Sequence, residues 1–296
     1  MLSFDEHQQL DEKAILFQQG KNYGQVVFLA GGAASGKGFA LENFMQPEKF
    51  KVRDVDEWKK ALMKLDGIAA ETDKRYKQKG IDTKAKFGVR ASDLNLKNEE
   101  DVFRLHDMVD QLGWKEKTLD LLLAGAKNAD RLPNIIFDIT MKNLNQVSKN
   151  IPMLLSLGYK PDNIHLVWIL TNFTVAIDRN KTRPRRVPEY ILKQTHTGAA
   201  TTMMDIVRGN VPRGLNGRIT VILNNNEETV FFDNSERVPR WGKNKGEPVK
   251  LVKSFTSIDV KREGRKFEKN TYVDSQIHKW VMANAPKEVV KDIKER

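Results

Sequence analysis

Gly31, Gly32, Ala33, Ala34, Ser35, Gly36, Lys37 and Gly38 form one unbroken run with the spacing G-x-x-x-x-G-K. Small residues at this spacing let the backbone wrap until several N–H groups aim at one phosphate, and a helix that starts there adds its partly positive end. A lysine at the close of the run reaches the outer phosphates of a nucleotide as a point charge. These residues, with Phe39, are the candidate nucleotide-binding segment. Gly38 stands where Ser or Thr usually offers a hydroxyl to Mg²⁺. The ion would then rest on nucleotide phosphates, water and a carboxylate or hydroxyl elsewhere, with Ser35 as one helper. A surface turn rich in small residues is the plain structural alternative.

Three further clusters carry groups that phosphoryl transfer uses. Asp54 and Asp56 lie two apart, which places them on one side of an extended segment. Asp56 is the candidate to orient or deprotonate an attacking hydroxyl, with Asp54 beside it on the acceptor. Either one also suits a helix cap. The run Asn134-Ile-Ile-Phe-Asp138 ends in a carboxylate that is costly to leave unpaired near a core. Asp138 is therefore the candidate metal-side carboxylate. Thr140 and Lys142, just beyond, are placed for the acceptor and its phosphate, while Thr140 or Asn143 is equally placed to cap a helix. Arg179, Lys181, Arg183, Arg185 and Arg186 put five cations into eight residues, with Pro184 and Pro188 stiffening the connection. Guanidinium groups suit the charge that spreads over a transferring phosphoryl group. Arg179 and Arg183 are the candidates for that task, and Arg185 and Arg186 for the acceptor. A solvated basic loop or a nucleic-acid surface fits the same cluster. His106 and His196 stand alone and read as surface or capping residues, and Met203 with Met204 reads as core. Trp58, Trp114, Trp168 and Trp241 are too dispersed to form a stacking platform.

These groups need elements to position them. Residues 5–19 read as an amphipathic helix. Residues 25–30 are short, apolar and bounded by glycine, as a buried parallel strand is. A second strand is expected over about 51–55, then a helix from 57. Residues 66–131 read as a charged, mostly helical insert with a loop-like centre near 80–96. A third strand over 134–138 leads to a helix ending near 157, and a turn follows over 158–162. A fourth strand over 164–170 leads to a helix near 173–181, and a further helix runs to 208. Short strands over 218–223 and 229–233 flank a turn at Asn224, Asn225 and Asn226. The tail over 235–270 reads as basic and loop-rich, with a closing helix after 273. The alternation predicts an α/β fold: a doubly wound, mostly parallel sheet flanked by helices, of the P-loop NTPase type. Ligands in that architecture sit beyond the C-terminal strand ends, where every cluster above falls. The expected division is a core over 1–235, with an arginine-rich lid over 179–195, and a basic C-terminal extension over 236–296.

The chain has 296 residues, 40% hydrophobic and 30% charged, with no cysteine, and its mean hydropathy is −0.55. Disulfides, thiolate metal sites and cysteine nucleophiles are excluded. No run approaches the ~18 apolar residues of a membrane span, and the first residues do not read as a secretory leader. A cytoplasmic protein with no membrane partner is the expectation. The net charge is +11. Residues 1–150 hold 24 Lys/Arg against 23 Asp/Glu, and residues 151–296 hold 26 against 16. The second half thus suits an anionic partner, nucleic acid included.

In this order, the pieces resemble the zeta-toxin-like family of P-loop kinases. The resemblance spans about residues 24–235. It rests on the Gly31 to Gly38 loop, Asp54-Val-Asp56, Phe137-Asp138-Ile-Thr140-Met-Lys142, Gly158-Tyr159, Arg179 with Arg183, Arg186-Val-Pro188, and Phe231-Phe-Asp-Asn234. It implies transfer of the γ-phosphoryl group of ATP or GTP, with Mg²⁺, to a hydroxyl of a small anionic acceptor such as a nucleotide sugar. Lys37 would bind phosphate, Asp56 would activate the hydroxyl, and Arg179 and Arg183 would stabilise transfer. Family members commonly carry Glu-Gly-Thr where this chain has Asp138, Ile139 and Thr140. Two other readings remain open: a polynucleotide or nucleotide kinase, and a nucleotide-gated nucleic-acid-binding protein that transfers nothing. A protein inhibitor is compatible with the resemblance, though no residue of the sequence marks one.

Overall fold

A computed structural model describes residues 23–45, 50–53, 76, 79–90, 93–94, 100–101, 104, 108, 111, 132–183, 186–225, 227–238, 246–262, 264–289 and 291. The expected helix over 5–19 and most of the expected insert over 66–131 lie outside them.

The centre of the fold is β1 (Val26–Ala30), whose five residues are all buried. Helix α1 (Lys37–Phe44) follows it, then β2 (Lys51–Arg53). Within 66–131 the described helix is α2 (Thr83–Phe87), capped by the Asp82 side chain. Strand β3 (Ile135–Asp138) leads to α3 (Asn145–Ser148) and α4 (Ile151–Ser156), and a 3-10 turn (Pro161–Asn163) enters β4 (Ile164–Leu170). Then come α5 (Phe173–Lys181), α6 (Glu189–Val207), β5 (Ile219–Leu223), β6 (Thr229–Arg237), β7 (Val249–Lys261) and α7 (Thr271–Asn284).

The strands form one sheet in the order β2-β3-β1-β4-β5-β7-β6. The first five are parallel. The register puts Leu29 of β1 opposite Asp138 and Val167. Alternating side chains build two cores, as the two-residue period of a strand requires. On one face Val26, Phe28, Phe137, Leu166, Trp168 and Val221 pack with Leu154 of α4, Met203 of α6 and Val281 of α7. On the other face Val27, Leu29, Ile136, Val167, Ile169 and Ile222 pack with Ala40, Leu41 and Phe44 of α1. Helices on both faces are what make β1, β3 and β4 continuous apolar runs rather than alternating ones. The Met203 and Met204 pair is core, as expected.

Two sequence expectations are corrected. The helix expected to end near 157 is two short helices, with Pro152 in the first turn of the second. Proline lacks the N–H that a continuous helix would need there. The tail over 235–270 is not loop-rich throughout, because β7 supplies thirteen residues of strand. It runs antiparallel to β5 and inserts between β5 and β6, which therefore do not pair with each other. Phe255 of β7 stacks on Phe44 of α1 at 4.2 Å, tying this late strand to the helix that follows the loop.

Candidate active site

Strand β1 ends at Ala30, and the chain must turn at once to begin α1. It does so through Gly31 to Gly36, with Ala34 (φ 59°) and Gly36 (φ 87°) in the left-handed region. Gly36 is the helix N-cap and contributes no side-chain cap, so the first N–H groups of α1 are left for a ligand or water. A side chain at Gly36 would also run into the Asn224 amide.

The Lys37 ammonium folds back over this loop. Its Nζ donates to the carbonyl oxygens of Gly31 (2.8 Å) and Gly32 (3.3 Å) and stands 3.6 Å from the Asp138 carboxylate. Asp138 ends β3 beside β1, and the next N–H, of Ile139, donates to the Leu29 carbonyl (3.0 Å). The lysine and the metal-side carboxylate of the sequence reading are thus brought together at the loop. Mg²⁺ takes hard oxygen ligands and keeps several waters beside substrate phosphates. Asp138 suits that role as a single carboxylate, and the described residues include no cluster of three acidic or histidine ligands. The residues fit an ion carried largely by phosphates and water rather than an all-protein cage.

The ends of β4 and β5 brace the other side. Thr171 Oγ1 donates to the carbonyls of Ser35 (2.7 Å) and Asn224 (3.1 Å), and Asn224 Nδ2 donates to the Ser35 carbonyl (2.8 Å). Arg179, on α5, sends Nη1 to the Asn224 carbonyl (3.1 Å), and burial lowers its pKa from the usual arginine value. Its guanidinium lies 3.4 Å from the position a Cβ on Gly36 would take. Arg179 is therefore at the loop. Arg183 and Arg186 are exposed in the connection between α5 and α6. Arg185, Asp54 and Asp56 lie outside the described residues. Ser35 is buried, and its hydroxyl has no hydrogen-bond partner among the described residues. Gly38 is exposed, with no atom of the described residues within 4 Å of where a Cβ would stand, and Phe39 packs edge-on against Phe44 (5.6 Å).

Thr140 and Lys142 sit one step farther out. The Thr140 hydroxyl meets the Gln146 side chain (3.3 Å), which also accepts from the Lys142 N–H (2.8 Å). The Lys142 side chain lines an open groove of about 610 Å³ with Tyr190, Lys193, Gln194, Thr197 and Glu288.

Sequence reasoning missed the residues of α6 that touch the loop. His196 is buried rather than on the surface. Its Nε2 lies 2.8 Å from the Ala33 carbonyl, so that nitrogen carries the proton. Its ring packs edge-on against Phe173 (5.5 Å) and leaves no room for a side chain on Gly32. Thr195 Oγ1 accepts from the Ala33 N–H (3.1 Å). These contacts span more than 160 residues of chain, so no local pattern announces them. Asn224 carried only a turn signal, although an asparagine just after a β-branched strand was a usable clue to a strand-end site.

No family model and no curated protein matches the chain. Solved structures do align with it. One comes from the PezAT chromosomal toxin–antitoxin system of Streptococcus pneumoniae. It is 13% identical with a TM-score of 0.39, over 75% of this chain and 78% of that one. Another is the AvrRxo1-ORF1:AvrRxo1-ORF2 structure with sulphate ions, 13% identical with a TM-score of 0.42, over 92% of this chain and 68% of that one. At these values neither alignment assigns an activity or a partner to this chain.

Proposed function

We propose that this chain is a P-loop kinase that moves the γ-phosphoryl group of ATP or GTP to a hydroxyl of a small anionic acceptor. The observation that carries the reading is the meeting of Lys37, Asp138 and Arg179 at one left-handed loop on the C-terminal edge of a parallel sheet. Loop amides and the α1 N-terminus hold the donor phosphates. Lys37 exchanges its loop carbonyls for phosphate oxygens, which accept more strongly because they are charged. Mg²⁺ on Asp138 would offset charge on the outer phosphates. In the transfer, the acceptor oxygen bonds to the γ phosphorus while the bond to the bridging oxygen breaks and the nucleoside diphosphate leaves. Asp56 takes the acceptor proton. Arg179 neutralises charge on the transferring group, and Arg183 closes from the open side.

The test is acceptor capture. The protein is incubated with isotope-labelled ATP or GTP and a small-molecule extract, and mass spectrometry identifies the labelled product. A new phosphate monoester is expected, and no labelled acceptor at all would overturn the transfer reading. Lys37→Ala should lower kcat/KM by roughly 100-fold or more, the size seen for loss of one preorganised transition-state donor. Its far-UV dichroism should match the wild type. A fully active Lys37→Ala variant would mean that the loop is misassigned.

A further inference from the structure

Two neighbouring residues of α6 hold both backbone polar groups of one residue of the loop, Ala33. Thr195 Oγ1 accepts from the Ala33 N–H at 3.1 Å, and His196 Nε2–H donates to the Ala33 carbonyl at 2.8 Å. The next residue, Ala34, is left-handed at φ 59°. That conformation is unfavourable for a residue with a Cβ and persists only where surroundings hold it. The grip is backed by packing, since Ala33 and Ala34 sit against the buried cluster of Ala176, Val187 and Leu192. Val187 is fixed in turn by Asn180, whose side chain donates to its carbonyl (2.7 Å) and accepts from its N–H (3.0 Å). Asn180 and Val187 are the two ends of the arginine-bearing connection.

We propose that Thr195 and His196 are positioning residues that set the phosphate loop in its nucleotide-binding shape and join it rigidly to the base of the arginine segment. This rests on the kinase reading for the identity of the ligand. Neither side chain needs to touch the nucleotide. Each fixes one polar group of Ala33, so the remaining loop amides point together before the phosphates arrive. A preorganised loop binds more tightly because less ordering remains to be done on binding.

The probe is ADP, titrated calorimetrically into the full-length protein, with thermal unfolding measured in parallel. Thr195→Val keeps the shape of the side chain and His196→Phe keeps a buried aromatic ring, slightly larger, and each removes the hydrogen bond. Each should weaken ADP by about tenfold, the weight of one buried hydrogen bond. His196→Gln presents an amide N–H near the same place and should recover most of that loss, although it fills the ring's space less well than His196→Phe. A merely structural role predicts the opposite order, with affinity following packing and thermal midpoint rather than the donor. Wild-type binding with unchanged affinity in Thr195→Val and His196→Phe overturns the proposal and leaves the kinase reading standing. A wild type that binds no ADP overturns both.

Discussion

The ring of His196 is held at a pKa of about 4 by burial, with the Lys37 ammonium pushing in the same direction and the Ala33 hydrogen bond opposing. Its ordinary value is near 6.5, so the folded chain keeps it neutral where the unfolded chain protonates it. Unfolding therefore takes up a proton between those two pH values, and stability rises with pH across that window. Read downward, the contribution is whole above about pH 6.5, is lost as pH falls to about 4, and is flat below. The separation corresponds to about 3 kcal/mol. Urea unfolding of the wild type and His196→Gln at a series of pH values should show the wild type losing that much more than the variant. Parallel profiles would place the ring in a more solvated setting than the fold shows. The turn that carries Gly36 and Lys37 was legible in the sequence because its glycines are a local signal between a strand and a helix. His196 was not, because its meaning lies in a carbonyl on another element.

Among the elements, β7 shows how a strand hides. Only Ile258, Asp259, Val260 and Lys261 alternate apolar with polar; Phe255 falls out of that phase, and lysines and basic stretches on either side mask the rest. Strands β1, β3 and β4 were legible because burial on both faces leaves nothing but apolar residues. Strand β7 is held to β5 by a polar lock. Asp259 accepts from Arg218 Nε (2.9 Å) and Nη2 (2.8 Å) and from Thr220 Oγ1 (2.8 Å), beside the irregularity in register at Ile219 and Thr220. Bidentate arginine pairs are among the stronger protein hydrogen bonds, but this one is about 30% exposed, which screens it. Asp259→Ala should lower unfolding stability by about 1–2 kcal/mol. The lock lies at the start of β5, and Asn224 follows the far end, so ADP affinity should stay at the wild-type value. A variant as stable as the parent would show that the β5–β7 register is fixed by the apolar pairs alone.

Across the whole molecule, charge is distributed against the site. The phosphate loop belongs to the nearly neutral first half, while residues 151–296 hold 26 cations against 16 anions. Several of those cations serve the fold: Lys261 is buried on the Gly217 and Arg262 carbonyls, Arg218 is paired with Asp259, and Lys193 with Glu288. Arg262, Arg265, Lys266 and Lys269 are different, being exposed within eight residues between β7 and α7. Closely spaced exposed cations attract a polyanion by releasing its counterions, and each neutralised phosphate on a single strand steepens the salt dependence by about 0.7 in log–log slope. If the acceptor is the end of a nucleic acid, oligonucleotide affinity should fall steeply with salt. Replacing Arg265, Lys266 and Lys269 together by Ser should then flatten the slope by about 2. ADP affinity should not move, because the contacts proposed for its phosphates are the loop amides and Lys37, on other elements. Weak oligonucleotide binding with a flat salt response would remove the polynucleotide reading and leave the proposed small acceptor.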